Sequence, residues 1–231
     1  TDSAYHPITR ADGVLLLRDI KRAGKPVHKG ASASVWDIGD GVLCLEFTGK
    51  MNAIDDTVFE AIHTAIKLIG DGKTGPYKAL VVYNEGDNFS AGANLGLALF
   101  AMNIALWPQI DEMVAGGQRA YKALKYAPFP VVGAPSGLAL GGGCEILLHC
   151  DHVQAHAETY VGLVEVGVGF VPGWGGCKEM ILRALADERA AYQQNVSSRA
   201  SSSPSGKNAT RDLLQQEQMK VPDLPPLHPP L

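Results

Sequence analysis

Three consecutive glycines beside an acid, Gly141-Gly142-Gly143-Cys144-Glu145, are the residues in this chain best suited to chemistry. Glycine lets a backbone approach a ligand with no Cβ in the way. The run Glu145-Ile146-Leu147-Leu148 reads as a helix, whose first N–H groups carry partial positive charge and suit a developing anion. Glu145 would then stand as a general base or acid beside an anion receptor. A second small-residue stretch, Asn88-Phe89-Ser90-Ala91-Gly92-Ala93-Asn94, follows the short apolar run Ala79-Leu80-Val81-Val82-Tyr83. That run predicts a buried strand, and Ser90 to Ala93 a tight loop at its carboxyl end, where open α/β sheets bind ligands. The two loops can offer one N–H each to the same oxygen. Either loop alone reads first as ordinary turn chemistry.

A third stretch runs from Tyr160 to Gly176, and Glu165 is the only charged residue between Glu158 and Lys178. A carboxylate in such apolar company is costly unless it is paired, exposed or protonated. It is a second candidate acid or base, or a solvated loop residue.

The elements that must position these segments alternate. Val35 to Phe47 predicts a hairpin turning at Gly39-Asp40-Gly41. Asp55 or Asp56 can cap a helix with the apolar face Val58, Phe59, Ile62, Ala65, Ile66 and Ile69, ended by Gly70. Asp111 to Lys125 and Gly175 to Ala186 predict further helices. Val131 to Ala134 and His152 to Ala155 predict strands on either side of the Glu145 helix. Alternation of this kind implies a mainly parallel sheet with right-handed crossovers. Residues 1–34 are expected as an N-terminal extension or linker, 35–190 as the core, and 191–231 as a disordered tail. The tail holds Ser197 to Gly206 and a proline-rich end, with a short polar helix conceivable at 213–219.

Together the segments resemble those of the crotonase, or enoyl-CoA hydratase, superfamily. That family's first oxyanion segment, F-x-A-G-A-D, is matched by Phe89 to Asn94. Its second, G-x-x-x-G-G-G-C-E, is matched by Gly137 to Glu145. Its third, P-E-x-x-x-G-x-x-P-G-x-G-G, is matched by Val164 to Gly176, and its N-A-hydrophobe signature by Asn52-Ala53-Ile54. Asn94 stands where an acid is usual, and Val164 where proline is usual. The resemblance implies an α/β crotonase-like ββα spiral with a mainly parallel sheet. It also implies an oxyanion hole from Ala93 and Gly142, catalysis by Glu145 and Glu165, and substrate contacts from Asn52, Ala53, Ala91, Gly92 and Gly141. Gly41 to Ile54 looks like the hydratase part of bacterial multifunctional β-oxidation proteins. This implies an acyl-CoA thioester substrate, a homotrimer or hexamer, and a hydroxyacyl-CoA dehydrogenase portion that is separate or lost.

The implied reaction is hydration of a trans-2-enoyl-CoA to a 3-hydroxyacyl-CoA, with no cofactor because CoA belongs to the substrate. Other crotonase-type reactions, isomerisation or acyl-CoA hydrolysis, remain open. So does a non-catalytic acyl-CoA-binding fragment, since the tail differs from the family's helical C-terminus. The uncharged run Leu95 to Trp107 predicts a buried helix whose residues Leu95, Leu99 and Met102 line an acyl tunnel, or fill the core or a subunit contact.

A chain of 231 residues, 46% hydrophobic and 19% charged, can bury a core as one domain. A net charge of −4 gives no electrostatic case for nucleic acid. The polar interruptions of the apolar run, and Pro108, which ends it, argue against membrane insertion. Cys44, Cys144, Cys150 and Cys177 lack metal or disulfide spacing, so a cytoplasmic, reducing setting is expected. His149-Cys150-Asp151-His152 and His156 fit no standard metal site, and Gly70 to Thr74 lacks the first glycine of a phosphate loop.

Overall fold

The computed structural model describes residue 11 and residues 13–187. The expected tail, 191–231, lies outside the described residues. The chain divides after Glu179; of the second unit, residues 180–187 are helical.

Among the described residues, two sheets are present. The larger joins β1 (His28–Lys29), β2 (Ala33–Asp37), β3 (Val42–Phe47), β4 (Ala79–Val82), β6 (Val131–Gly133) and β8 (His152–Val153), in that order. β1, β2 and β3 are antiparallel, and β3, β4, β6 and β8 are parallel. The smaller sheet is wholly parallel and joins β5 (Asn88–Ser90), β7 (Leu138–Leu140) and β9 (Tyr160–Gly162). From β4 onward, strands of the two sheets alternate along the chain. After β5 come α3 (Leu95–Asn103) and α4 (Trp107–Lys125), and after β7 comes α5 (Gly142–Leu148). Each turn of the chain thus lays one strand in each sheet before a helix returns it, which is the expected ββα spiral.

Period-two alternation on β2 and β3 sets the core. Ala33, Val35, Leu43, Leu45 and Phe47 face α2 (Asp56–Ile69), whose Val58, Phe59, Ala61, Ile62, Ala65 and Ile69 are buried. Trp36 and Cys44 point the other way and pack with Leu17 of α1 (Leu17–Ala23). There Glu46 is buried, accepting from Trp36 Nε1 at 2.9 Å and Lys21 Nζ at 2.6 Å. The segment expected as an extension therefore supplies a strand and a helix to this unit.

Three expectations change. The small sheet was not anticipated: its strands are three residues each, too short for a period to register. The small-residue loop therefore leaves β5, not the strand at 79–83. The Leu95 to Trp107 run is not a buried helix. α3 buries Ala98, while Leu97, Leu99 and Phe100 are at least half exposed. A helix apolar all round cannot hide every face against one neighbour, here α4. Pro108 opens α4 in its first turn rather than following a long apolar helix.

Asp55 caps α2, its carboxylate accepting from the N–H groups of Thr57 and Val58 and from the hydroxyls of Ser32 and Thr57. Burial alone would raise its pKa. The bonds from Ser32, Thr57 and Val58 outweigh that and lower it. Asp55→Ala is expected to cost about 1 kcal/mol at neutral pH. Because the folded-state pKa is depressed, this advantage exists above the unfolded value and is lost as pH falls through the folded one. Urea denaturation at neutral and acid pH checks this: the gap between parent and variant narrows in acid.

Candidate active site

Three strand ends meet. β5 delivers Ala91 to Asn94, β7 delivers Gly141 and the start of α5, and β9 leads to Glu165, which opens a short 3-10 turn to Val168. The β7 end is tied to β9 by the Gly141 N–H, which donates to Gly162 O at 2.9 Å.

The glycines are required by close approach. Gly92 has φ +87°, and a Cβ there would stand 2.7 Å from Leu140 O and 2.9 Å from Gly142 N. A Cβ on Gly142 would stand 2.3 Å from Cζ3 of Trp174 and 3.5 Å from Ala93 N. The two loops therefore touch, with Ala93 N and Gly142 N close together on one cleft. Gly142 is the first residue of α5, so its N–H precedes any intrahelical acceptor.

This open cleft is lined by Ala91, Ala93, Leu95, Gly141, Gly142, both glutamates and Trp174, among others. Glu145 is buried. Its Oε1 accepts from Trp174 N–H and Gly176 N–H, each at 2.9 Å. Burial raises its pKa, the two N–H bonds pull it back, and the charge of Glu165 raises it again; the net direction is up. Glu165 is half-buried, and its Oε2 is enclosed without a hydrogen-bond partner among the described residues. Cys144 lies beside them, but burial and then the charges of Glu165 and Glu145 push its thiol up to about 11, so it is no nucleophile at neutral pH.

Of the residues singled out in the sequence, the structure gathers Glu145, Glu165, Ala91, Ala93, Gly141, Gly142 and Leu95 around the cleft. Gly92 does not line it but packs against Leu140 and Gly142. Asn52 and Ala53 do not line it. Asn52 instead stitches the first loop, donating from Nδ2 to Asn88 O at 2.8 Å and accepting from Ser90 Oγ at 2.8 Å. Leu99 and Met102 lie outside the cleft, because α3 turns Leu95 and Ala98 toward it instead. Ala98 and Met113 also line an adjoining hollow with Leu97, Ala101 and Ile110.

Sequence reasoning missed Trp174, Gly176, Tyr121 and His149 as neighbours of Glu145. The third segment contains the first two. Nothing in a linear pattern says that their N–H groups return to a carboxylate some thirty positions earlier. Among the described residues, no three His, Cys, Asp or Glu side chains are grouped to hold a metal ion. No helix among them is long and apolar enough to cross a membrane. Among the described residues no disulfide is formed, and Cys44, Cys144 and Cys150 are buried.

Residues 37–203 match the family described as enoyl-CoA hydratase/isomerase. A protein of Bacillus subtilis described as a probable 3-hydroxyacyl-CoA dehydrogenase is 38% identical over 73% of this chain, but the match covers 21% of that protein. The crotonyl-CoA hydratase of Syntrophomonas wolfei is 31% identical over 60% of this chain and 52% of its own. The chain thus spans about a fifth of the first relative's length and about half of the second's. An enoyl-CoA hydratase crystal structure from Polaromonas sp. JS666 superposes with a TM-score of 0.60. It is 25% identical, covering 68% of this chain and 61% of the other.

The contact between Gly142 and the indole yields a packing prediction. Gly142→Ala is expected to destabilise the fold by about 1–3 kcal/mol, since the new methyl meets an aromatic ring that is itself buried. Gly167→Ala, with nothing within 4 Å of the added Cβ, should stay within about 0.5 kcal/mol of the parent. Denaturant midpoints of the two variants check the contrast.

Proposed function

The chain belongs to the enoyl-CoA hydratase/isomerase family, and from that premise we propose that it hydrates trans-2-enoyl-CoA thioesters to 3-hydroxyacyl-CoA in fatty-acid oxidation. The observation that carries this proposal is the meeting of two carboxylates, Glu145 and Glu165, on the cleft lined by Ala93 and Gly142. Isomerisation of a double bond requires only one base working on carbon. A second carboxylate gives a place to hold and activate water.

The thioester oxygen accepts from the Ala93 and Gly142 N–H groups. Such donors are fixed before reaction and bind more tightly as the oxygen gains enolate charge, contributing about 3 kcal/mol each by analogy with other oxyanion holes. Water sits between the carboxylates. As its oxygen bonds to the β-carbon, its proton passes to one carboxylate and the π pair moves toward the thioester oxygen. The enolate then collapses, and a proton from the other carboxylate bonds to the α-carbon on the same face. The net addition is one H and one OH, and the protons exchange within the pair. The raised pKa of Glu145, due to burial and then to Glu165, favours a pair carrying one proton. The acid and base roles belong to the pair. The unpartnered Oε2 of Glu165 suits a water or substrate contact. The reaction as proposed uses CoA only as part of the substrate.

The acyl chain would leave the thioester past Leu95 and Ala98. The product carries the 3-hydroxyl that a dehydrogenase oxidises, in keeping with the B. subtilis relative being described as a probable 3-hydroxyacyl-CoA dehydrogenase. We place such a dehydrogenase portion, elsewhere in a longer protein or on a separate chain, as the next user of the product.

Purified protein mixed with crotonyl-CoA should bleach the conjugated thioester absorbance. Glu145→Gln and Glu165→Gln should each lower kcat by about 100-fold or more with KM little changed, because the amide keeps the size and loses the proton transfer. Near-parental turnover by either variant would remove that glutamate from the mechanism.

A further inference from the structure

Helix α4 places three residues, Gly117, Tyr121 and Lys125, four positions apart along one side of the helix. Each meets a different part of the site. At Gly117 the Trp174 indole takes the place of a side chain: a Cβ there would stand 2.2 Å from Nε1. Lys125 pairs with the buried Glu179. Glu179 Oε1 lies 3.7 Å from His149 Nε2, and His149 is bonded through Nδ1 to the backbone oxygen of Glu145 at 2.7 Å. Between them, Tyr121 is fully buried. Its ring stands edge-on to Trp174 at 5.5 Å and tilted to His149 at 5.5 Å. Its hydroxyl donates to Gly142 O at 2.9 Å.

We propose that Tyr121 is a positioning residue for the oxyanion donor, its hydroxyl holding Gly142 so that the Gly142 N–H faces the thioester oxygen; this rests on the hydration proposed above. Packing alone does not account for the hydroxyl. Phenylalanine would fill the same space without the cost of removing an O–H from water, a cost offset here by the bond to Gly142. The residue so bonded has the widest backbone freedom in the chain's chemistry. Donor placement is steeply linked to rate: an ångström of misplacement can cost about 100-fold. Gly117 and Lys125 complete the same device. The first lets the indole close under Gly142, and the second anchors the groups behind Glu145.

The test is Tyr121→Phe beside the parent and Tyr126→Phe, the same change at a more exposed tyrosine that caps the same helix. Two readouts are taken: steady-state hydration of crotonyl-CoA, and the near-ultraviolet enolate band of bound acetoacetyl-CoA, which reports charge on the thioester oxygen without turnover. Tyr121→Phe should lower kcat by roughly tenfold or more, change KM less than twofold and weaken the enolate band. Tyr126→Phe should match the parent. A Tyr121→Phe variant with unchanged kcat and enolate band, and only a lower denaturation midpoint, would reduce the hydroxyl to a structural bond and overturn the proposal. Equal losses in Tyr126→Phe would also overturn it. If the parent develops the enolate band but hydrates nothing, the hydration proposal fails while the band still decides the role of Tyr121. A parent that does neither ends both.

Discussion

A carboxylate out of water is the constraint on which the site depends. Glu145 is 2% exposed, and an isolated buried carboxylate is prohibitively costly. Here the peptide N–H groups of Trp174 and Gly176 offset that cost by donating to one of its oxygens. To make those two bonds, residues 174–176 must close over α5. That closure buries the indole of Trp174 against Gly142, Gly117, Phe59 and Tyr121. At Gly176 a side chain is excluded, since a Cβ would stand 2.9 Å from Glu145 Cγ. The glycines at 142 and 176 are thus tied to one buried acid, and the aromatic cluster packs beside it.

The offset is partial, and that matters for chemistry. Two neutral N–H donors hold one oxygen without supplying a full positive charge. Burial and the nearby Glu165 therefore leave the Glu145 pKa raised. A lysine in the same place would lock the group as a permanent anion. The chain does hold such a locked acid nearby: burial would raise the pKa of Glu179, but Lys125 and Lys178 outweigh it and bring it down. One buried glutamate is thus stabilised as a charge behind the site, and another is left able to exchange a proton within it. His149 separates them. Burial lowers its pKa, so it is neutral at physiological pH and serves as a hydrogen-bonding spacer.

Much of this was legible in the sequence where side chains of unusual cost stand out. An acid after three glycines, a lone glutamate in an apolar run and a small-residue loop each read singly as turn or loop chemistry; their combination marks a site, and all three converge on the cleft. The α2 cap and its apolar face were legible because period and capping chemistry agree. The small sheet was not, because Asn88–Ser90, Leu138–Leu140 and Tyr160–Gly162 are stabilised by pairing between segments far apart in sequence. α3 misled for a related reason. Apolar residues on every side of a helix reveal that faces want cover, not which neighbour covers them. The departures from the family pattern have local explanations. Asn94 caps α3, its side-chain oxygen accepting from Leu97 N at 3.3 Å, as an acid would. Val164 has φ −106°, outside the range a proline ring allows.

The central claim is that the N–H groups of Ala93 and Gly142 polarise one thioester oxygen. Infrared difference spectra of bound butanoyl-CoA, ¹³C-labelled at the thioester carbonyl, test this directly, because the saturated chain binds but cannot be hydrated. A carbonyl stretch shifted to lower frequency than in water is the predicted result. A stretch at or above its aqueous frequency would contradict the account, for it would mean that the two loops meet without forming an oxyanion hole.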